Sequence, residues 1–204
     1  MSHPRPSNHD LLYNWLYENA GRTPLWQFPD QLLDPGIRLQ RLDFSNYHGI
    51  PDLFADDDNR FLEPRFRTLT DFYEYVGFLM AIVPYSPDHG GVDYLVYTPG
   101  GALAGIVHLY DLSCRAGQEH RAYVGFQIGR AFRGTDLAHR AVSRLERYAT
   151  EERGLTQLLA DTIASNTRSI QFLERRGYAF LSAERRVRTY ARGGITGAPP
   201  CGRG

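Results

Sequence analysis

Lysine is missing from this 204-residue chain; all 23 basic residues are arginine. Without lysine there is no side-chain Schiff-base chemistry and no Walker-type phosphate loop, whose lysine reaches the phosphates. Cysteine is almost as scarce. Cys114 and Cys201 form neither a CxxC pair nor a disulfide framework, so the chain reads as a protein of a reducing compartment, with the cytoplasm as its expected location. Lone Cys114 is read as a small apolar residue rather than a nucleophile. Long apolar runs are missing as well. The most apolar stretch, Tyr75 to Tyr85, is broken by Pro84 and falls short of the roughly 20 residues of a membrane span. The opening MSHPRPSNHD carries no apolar signal segment. His48, His89, His108, His120 and His139 are scattered without metal-ligand spacing, which leaves them as surface or core residues and gives no metal centre. Ala55 to Asp58, ADDD, reads as a solvated loop or helix end.

What is present is a core-forming composition with an uneven charge. Apolar residues make up 42% and aromatics 13%, enough to rule out disorder throughout. Through Asp111 there are 7 arginines against 15 acids, a net −8; from Leu112 onward there are 16 against 8, a net +8. Base composition accounts for the choice of arginine over lysine. The split between halves does not follow from it, and points to an anionic ligand for the second half and a cationic one for the first. The run from Glu184 to Arg192, ERRVRTYAR, fits an arginine-bearing closing strand. With no nucleic-acid-binding motif beside it, neither nucleic acid nor a membrane is an expected partner.

Periodicity organises the chain into three parts. Residues 1–36 read as an extension, with a helix over Asn8–Ala20 and a Pro-punctuated connector after Gly21. Residues 37–190 read as one mixed domain. Its expected elements are a strand from Ile37, helices over Asn46–Asp58 and Thr68–Val83, and two strands about Pro99-Gly100-Gly101. A strand over Arg121–Gly129, a helix from Leu137 and a strand over Leu155–Ile163 follow, then a helix capped by Asn166 and one or two closing strands. Residues 191–204 form a Gly/Pro-rich flexible tail. The fold class is α/β (α+β), layered about one sheet.

The strand ending at Ile128 meets its helix through Arg133-Gly134-Thr135-Asp136. A helix start offers unpaired N–H groups and the positive end of its dipole, a ready anion site. Gly134 permits a tight turn, Arg133 adds charge and Thr135 a hydroxyl. An ordinary connection with Thr135 as N-cap is the plain alternative. Further on stand Asn166, Ser169, Leu173, Glu174, Gly177 and Tyr178. The two runs at this spacing resemble the GNAT superfamily of acetyl-CoA-dependent N-acetyltransferases, nearest to the ribosomal-protein N-terminal branch. That branch shows Y-R-G-x-G-x-A, then N-x-x-S-x-x-x-L-E-x-x-G-[FY]; here the first run reads Phe132 to Ala138, and the likeness spans about three quarters of the chain.

The resemblance implies a mixed, mostly antiparallel central sheet flanked by helices, with an N-terminal helical extension. It also implies an acetyl-CoA site. Phe126, Gln127 and Ile128 would pair with the pantetheine arm where their strand splays from the next. Arg133, Gly134, Thr135, Asp136, Leu137 and Ala138 would hold the diphosphate. Asn166, Ser169 and Phe172 would line the far side. The expected acceptor is a primary amine, either a small molecule or a protein N-terminus. One departure stands out: Asp136 occupies the family's second loop glycine. Its carboxylate either turns outward or caps the helix in competition with the ligand, and in the second case the fold would survive as an inactive binding or regulatory module.

Acetyl transfer needs a neutral amine, a stabilised oxyanion and a leaving thiolate. Asp161 is the candidate base, expected to be partly buried on a strand face with Leu159 and Ile163, which would raise its carboxyl; pairing with a neighbouring arginine is the other reading. Leu173 stands where many GNAT enzymes carry a tyrosine acid, leaving Tyr123, Tyr178 or water. The segment bearing Trp15 and Trp26 could complete an acceptor pocket or a homodimer contact, with packing on the sheet favoured.

Overall fold

Strand-period and helix-period stretches alternate from residue 31 onward, and they assemble about one eight-stranded sheet. The computed structural model describes residues 21–55, 60–113 and 120–193. The expected helix over Asn8–Ala20, Trp15, Asp56 to Asp58, Cys114, Cys201 and most of the expected tail lie outside those residues. The strands are β1 (Gln31–Asp34), β2 (Ile37–Arg41), β3 (Gly90–Tyr97), β4 (Leu103–Leu112), β5 (Arg121–Ile128), β6 (Gln157–Ile163), β7 (Ala179–Glu184) and β8 (Val187–Arg192). The helices are α1 (Gly49–Phe54), α2 (Leu69–Ala81), α3 (Leu137–Arg147) and α4 (Thr167–Arg175). The order across the sheet is β1-β2-β3-β4-β5-β6-β8-β7. The β5–β6 pair is parallel, and the other pairs are antiparallel.

Alternating side chains give the sheet two apolar faces. Tyr94, Val107, Leu109, Val124, Leu158 and Ala160 pack under Ala141, Val142 and Leu145 of α3 and Ile170 and Leu173 of α4. Leu95 and Ile106 pack on the opposite face against Ile50 and Phe54 of α1, Phe66, and Phe72 and Val76 of α2. The α3 stripe recurs every three or four residues, as one buried face requires. Thr68 caps α2 by accepting from the Asp71 N–H at 3.1 Å, and Asn166 caps α4 by accepting from the Ser169 N–H at 3.2 Å, as the sequence led us to expect for Asn166.

The connector before Ile37 holds more structure than expected. Asp34-Pro35-Gly36, with Gly36 at φ +84°, turns β1 into β2. Trp26 packs on the start of β3, its indole N–H donating to the Ser86 carbonyl at 2.7 Å. A row of α3 arginines fastens this segment. Arg140 donates to the Pro35 carbonyl at 3.1 Å, Arg144 to the Leu33 carbonyl at 3.0 Å, and Arg147 pairs with Asp34 at 2.6 Å. Part of the second half's positive charge therefore serves the first half, not a ligand.

Behind α3 lies a buried ionic cluster. Glu146 accepts from Arg176, from the Tyr178 hydroxyl at 2.9 Å and from Arg192 at 2.6 Å. It ties α3 to the end of α4 and to β8.

Candidate active site

The sheet opens at one place. β5 and β6 pair from Arg121–Gln157 to Tyr123–Leu159 only. Beyond that point β5 continues beside β4 to Ile128, and β6 beside β8 to Ile163. Antiparallel ladders alternate bonded and non-bonded pairs. Because the Gly129 N–H donates to the Ala104 carbonyl, the peptide groups of Val124, Phe126 and Ile128 face away from β4, into the gap. A cavity of about 1440 Å³ occupies the gap and runs to both faces of the sheet, larger than the roughly 300–1,000 Å³ of common small-molecule pockets.

One end of this cavity carries the loop and the Asn166 motif. It is lined by Phe126, Gln127, Ile128, Arg133, Gly134, Thr135, Ala138, Asn166, Ser169 and Phe172. Phe126 meets Phe172 across the gap, ring centroids 4.6 Å apart. Arg133 donates through Nε to the Ile128 carbonyl at 3.0 Å, closing the base of the loop. Gly134 sits at φ +81°, and a Cβ there would meet nothing within 4 Å. The glycine serves a left-handed turn with open space above it. Among the described residues the N–H groups of Gly134, Thr135 and Asp136 have no hydrogen-bond partner. Orphaned donors at a helix start, beneath open space, suit a diphosphate.

Four expectations change here. Gln127 turns its peptide groups to β4, so Val124 takes its expected place beside Phe126 and Ile128 on the gap. Thr135 stands one residue before the cap position, which Asp136 takes without a side-chain cap bond; the Thr135 hydroxyl donates to the Phe132 carbonyl at 2.7 Å and still accepts from the Leu137 N–H at 3.4 Å. Asp136 turns outward. Its carboxylate, 61% exposed, pairs with Arg140 at 2.6 Å and lies off the cavity, so it competes for none of the loop's N–H groups. Leu137 is buried in the core instead of lining the cavity. The sequence departure at Asp136 is absorbed by one turn of helix.

Asp161 lines the cavity but is exposed, and it accepts from the Thr189 hydroxyl at 2.7 Å. Leu159 is buried and Ile163 is exposed, so the burial expected for Asp161 is missing. Its recorded partner is a hydroxyl, not an arginine. Tyr178 is buried against Glu146 and does not line the cavity; neither does Tyr123.

The opposite end of the cavity, on the α1/α2 face, holds a group that the sequence reading left as surface or core. Asp93 of β3 lies directly across from His108 of β4, and both are buried. Asp93 Oδ2 accepts from the Tyr75 hydroxyl at 2.8 Å and from His108 Nδ1 at 3.1 Å. Phe66 stacks on the imidazole, centroids 5.9 Å apart. The ring lies against Gly125 of β5, where a Cβ would come within 2.6 Å of His108 Cδ2. A bulge in the β3–β4 ladder, with Asp111 at φ +53°, accompanies Tyr110 and Asp111 at the cavity wall. Burial foremost, then the charges of Asp161, Asp111 and Glu63, push the Tyr110 phenol up. Burial, then Asp93, does the same for Tyr75. Glu63, Asp93, Asp111 and Asp161 stand at this end, Glu63 paired with Arg65 at 3.0 Å and Asp111 with His89 at 3.3 Å, and the Gly134 loop stands at the other.

The arrangement can hold an extended anionic molecule along β5 and meet it with a cation from the other face. A family model described as acetyltransferase (GNAT) domain matches residues 38–179. No curated protein matches the chain. Among solved structures, RimL, a ribosomal L7/L12 alpha-N-protein acetyltransferase in complex with coenzyme A, is similar with a TM-score of 0.65 at 15% identity, over 80% of this chain and 97% of that one. A GCN5-related N-acetyltransferase from Brucella melitensis gives 0.64 at 16%, over 85% and 83%. The spermidine/spermine N-acetyltransferase SpeG from Vibrio cholerae gives 0.57 at 13%, over 78% and 93%. No helix among the described residues is long and apolar enough to cross a membrane.

Proposed function

This chain belongs to the acetyltransferase (GNAT) family, and we propose that it moves an acetyl group from acetyl-CoA to a primary amine by direct attack with both substrates bound. The observation that carries this reading is the parting of β5 from β6 after Tyr123, beside a loop in which the N–H groups of Gly134, Thr135 and Asp136 have no partner among the described residues. In the proposal the diphosphate rests on Gly134, Thr135 and Asp136 N–H groups, with the Arg133 guanidinium beside them. The pantetheine arm pairs with Val124, Phe126 and Ile128 peptides, and Asn166, Ser169 and Phe172 close its far side. When bound, acetyl-CoA supplies an activated thioester; an N–H of β5 near Ile128 is set to stabilise the oxygen charge that develops.

The acceptor enters from the α1/α2 face. Glu63, Asp93, Asp111 and Asp161 line that end together with Arg60, Arg65 and His89; Arg65 pairs with Glu63 and His89 with Asp111, so the exposed Asp161 carboxylate is the charge offered to a cationic amine. Asp161 serves there as a fixed negative charge at the rim. Solved structures of similar fold act, by their names, on a protein N-terminus and on spermidine. Both are primary amines, and they define the first acceptors to assay.

Calorimetric titration of acetyl-CoA, followed by thiol release with a panel of polyamines and peptides with free N-termini, tests the reading. Saturable one-to-one binding and amine-dependent thiol release are expected. Absence of binding at millimolar acetyl-CoA would overturn it.

A further inference from the structure

We propose that His108 is the catalytic base that takes the proton from the incoming amine, and that Asp93 is the positioning residue that holds it for this task. The proposal deepens the acetyl-transfer reading and rests on it.

Four observations converge on His108. First, a carboxylate can only accept, so Asp93 Oδ2 at 3.1 Å assigns the proton to Nδ1. In the neutral imidazole that leaves a lone pair on Nε2, which has no partner among the described residues. Second, the ring edge bearing Cδ2 and Nε2 lies against Gly125, where a Cβ would stand 2.6 Å from Cδ2 and 3.5 Å from Nε2. Gly125 sits between Val124 and Phe126, whose peptide groups face the gap, so the free nitrogen is at the crossing of the two substrate paths. Third, His108 lines the cavity although its side chain is only 5% exposed. Fourth, Asp93 is buried, and among the described residues its carboxylate is held by Tyr75 and His108 with no arginine on it. A buried carboxylate is costly, and an apolar pair would serve packing better. A carboxylate behind the imidazole steadies the imidazolium that forms when Nε2 takes a proton.

The step balances. The acceptor arrives as an ammonium ion; Nε2 forms a bond to one of its protons, and the N–H pair stays on nitrogen. The nitrogen pair then bonds to the thioester carbonyl carbon, and the C–S bond breaks with its electrons on sulfur. The second nitrogen proton, lost as the amide forms, reaches sulfur through water. The proton on His108 passes to solvent. Other ionisable groups face the same end of the cavity: Tyr75 from α2, Arg60, Glu63 and Arg65 from the segment before it, His89 from the turn before β3, Tyr110 and Asp111 from β4, and Asp161 from β6.

His108→Gln keeps a donor toward Asp93 and removes the base. The fastest acceptor of the amine panel serves as probe. Acetyl-CoA affinity within about twofold of wild type is expected, with kcat/KM lower by about 10²–10⁴ and the acid limb of its pH profile gone. Asp93→Asn is expected to lower kcat with KM nearly unchanged. The imidazole ¹⁵N spectrum of the free wild-type protein gives a readout apart from turnover: Nδ1 protonated and Nε2 bare, with this pattern altered in Asp93→Asn. Wild-type kcat/KM and pH profile in His108→Gln overturn the proposal, as does loss of acetyl-CoA binding in that variant. If wild type itself fails to bind acetyl-CoA, the acetyl-transfer reading fails first. Should His108→Gln not fold, a wild-type spectrum with Nε2 protonated at neutral pH is the overturning result.

Discussion

Replacing Gly134 by alanine puts one methyl group into empty space, and its cost is therefore almost purely conformational. The residue sits at φ +81°, and a Cβ there has no neighbour within 4 Å. Holding an L-residue in the left-handed region costs about 1–2 kcal/mol. Two limits bracket how this cost appears. If the loop stays strained in the free protein, it lowers stability and shifts the melting temperature by about 2–8 °C, at about 2–4 °C per kcal/mol for a chain of this size. If the free loop relaxes and must be restored to receive the diphosphate, acetyl-CoA affinity falls instead, by about 5- to 30-fold. By linkage the stability loss and the affinity loss together should come to about 1–2 kcal/mol, however they divide. Differential scanning calorimetry and isothermal titration of the same protein measure both parts. Gly134→Asn, a residue that tolerates this region, should recover a good share. An alanine variant that melts and binds like wild type would falsify the loop geometry.

Further outcomes follow from the outward carboxylate, the ionic cluster and the buried phenols. Asp136→Gly should leave the acetyl-CoA dissociation constant within about threefold, because an exposed i,i+4 pair contributes only about 0.3–0.5 kcal/mol; a tenfold tightening would mean that the carboxylate crowds the ligand after all. Glu146→Gln leaves buried Arg176 without its charge partner and should cost about 3–5 kcal/mol of stability by urea titration, with a loss below about 1 kcal/mol refuting the role given to the cluster. Burial pushes the phenols of Tyr75, Tyr94, Tyr110 and Tyr178 up. A raised phenol favours the neutral form in the folded state, so its contribution is complete below the unfolded value of about 10 and lost as pH climbs past it, at about 1.4 kcal/mol per pH unit for each group. The urea midpoint should drop steeply above about pH 10; a midpoint flat from pH 9 to about 11.5 contradicts it.

The elements around the site were legible where one physical pattern acted alone. The α3 stripe from Leu137 to Leu145 needs only helical period, and Asn166 caps α4 by purely local chemistry. Asp136 was ambiguous because its direction depends on Arg140, itself drawn to the Pro35 carbonyl of a distant turn. The short strand β1 was hidden between prolines, although Asp34-Pro35-Gly36 is a turn signal of the kind applied elsewhere in the chain. The Asp93–His108 pair was out of reach for a sharper reason. Counting outward from Tyr97 and Leu103 sets Asp93 opposite Val107. An irregularity between Val96 and Tyr97 shifts the ladder by one residue and brings His108 across instead. A shift of one residue exchanges the faces of a strand, and nothing in the flanking residues announces this one.

The arginines that α3 sends to the Pro35 and Leu33 carbonyls and to Asp34 have a practical consequence for anyone trimming the gene. A fragment cut to the family-matched span, residues 38–179, would begin inside one hairpin and stop at the first residue of another. Arg140 and Arg144 would lose the carbonyls they now hold, Arg147 its partner Asp34, and Glu146 its partner Arg192. The helix that follows the proposed coenzyme loop would then be moored at neither flank, so the minimal expressible unit is wider than the homology that identifies it.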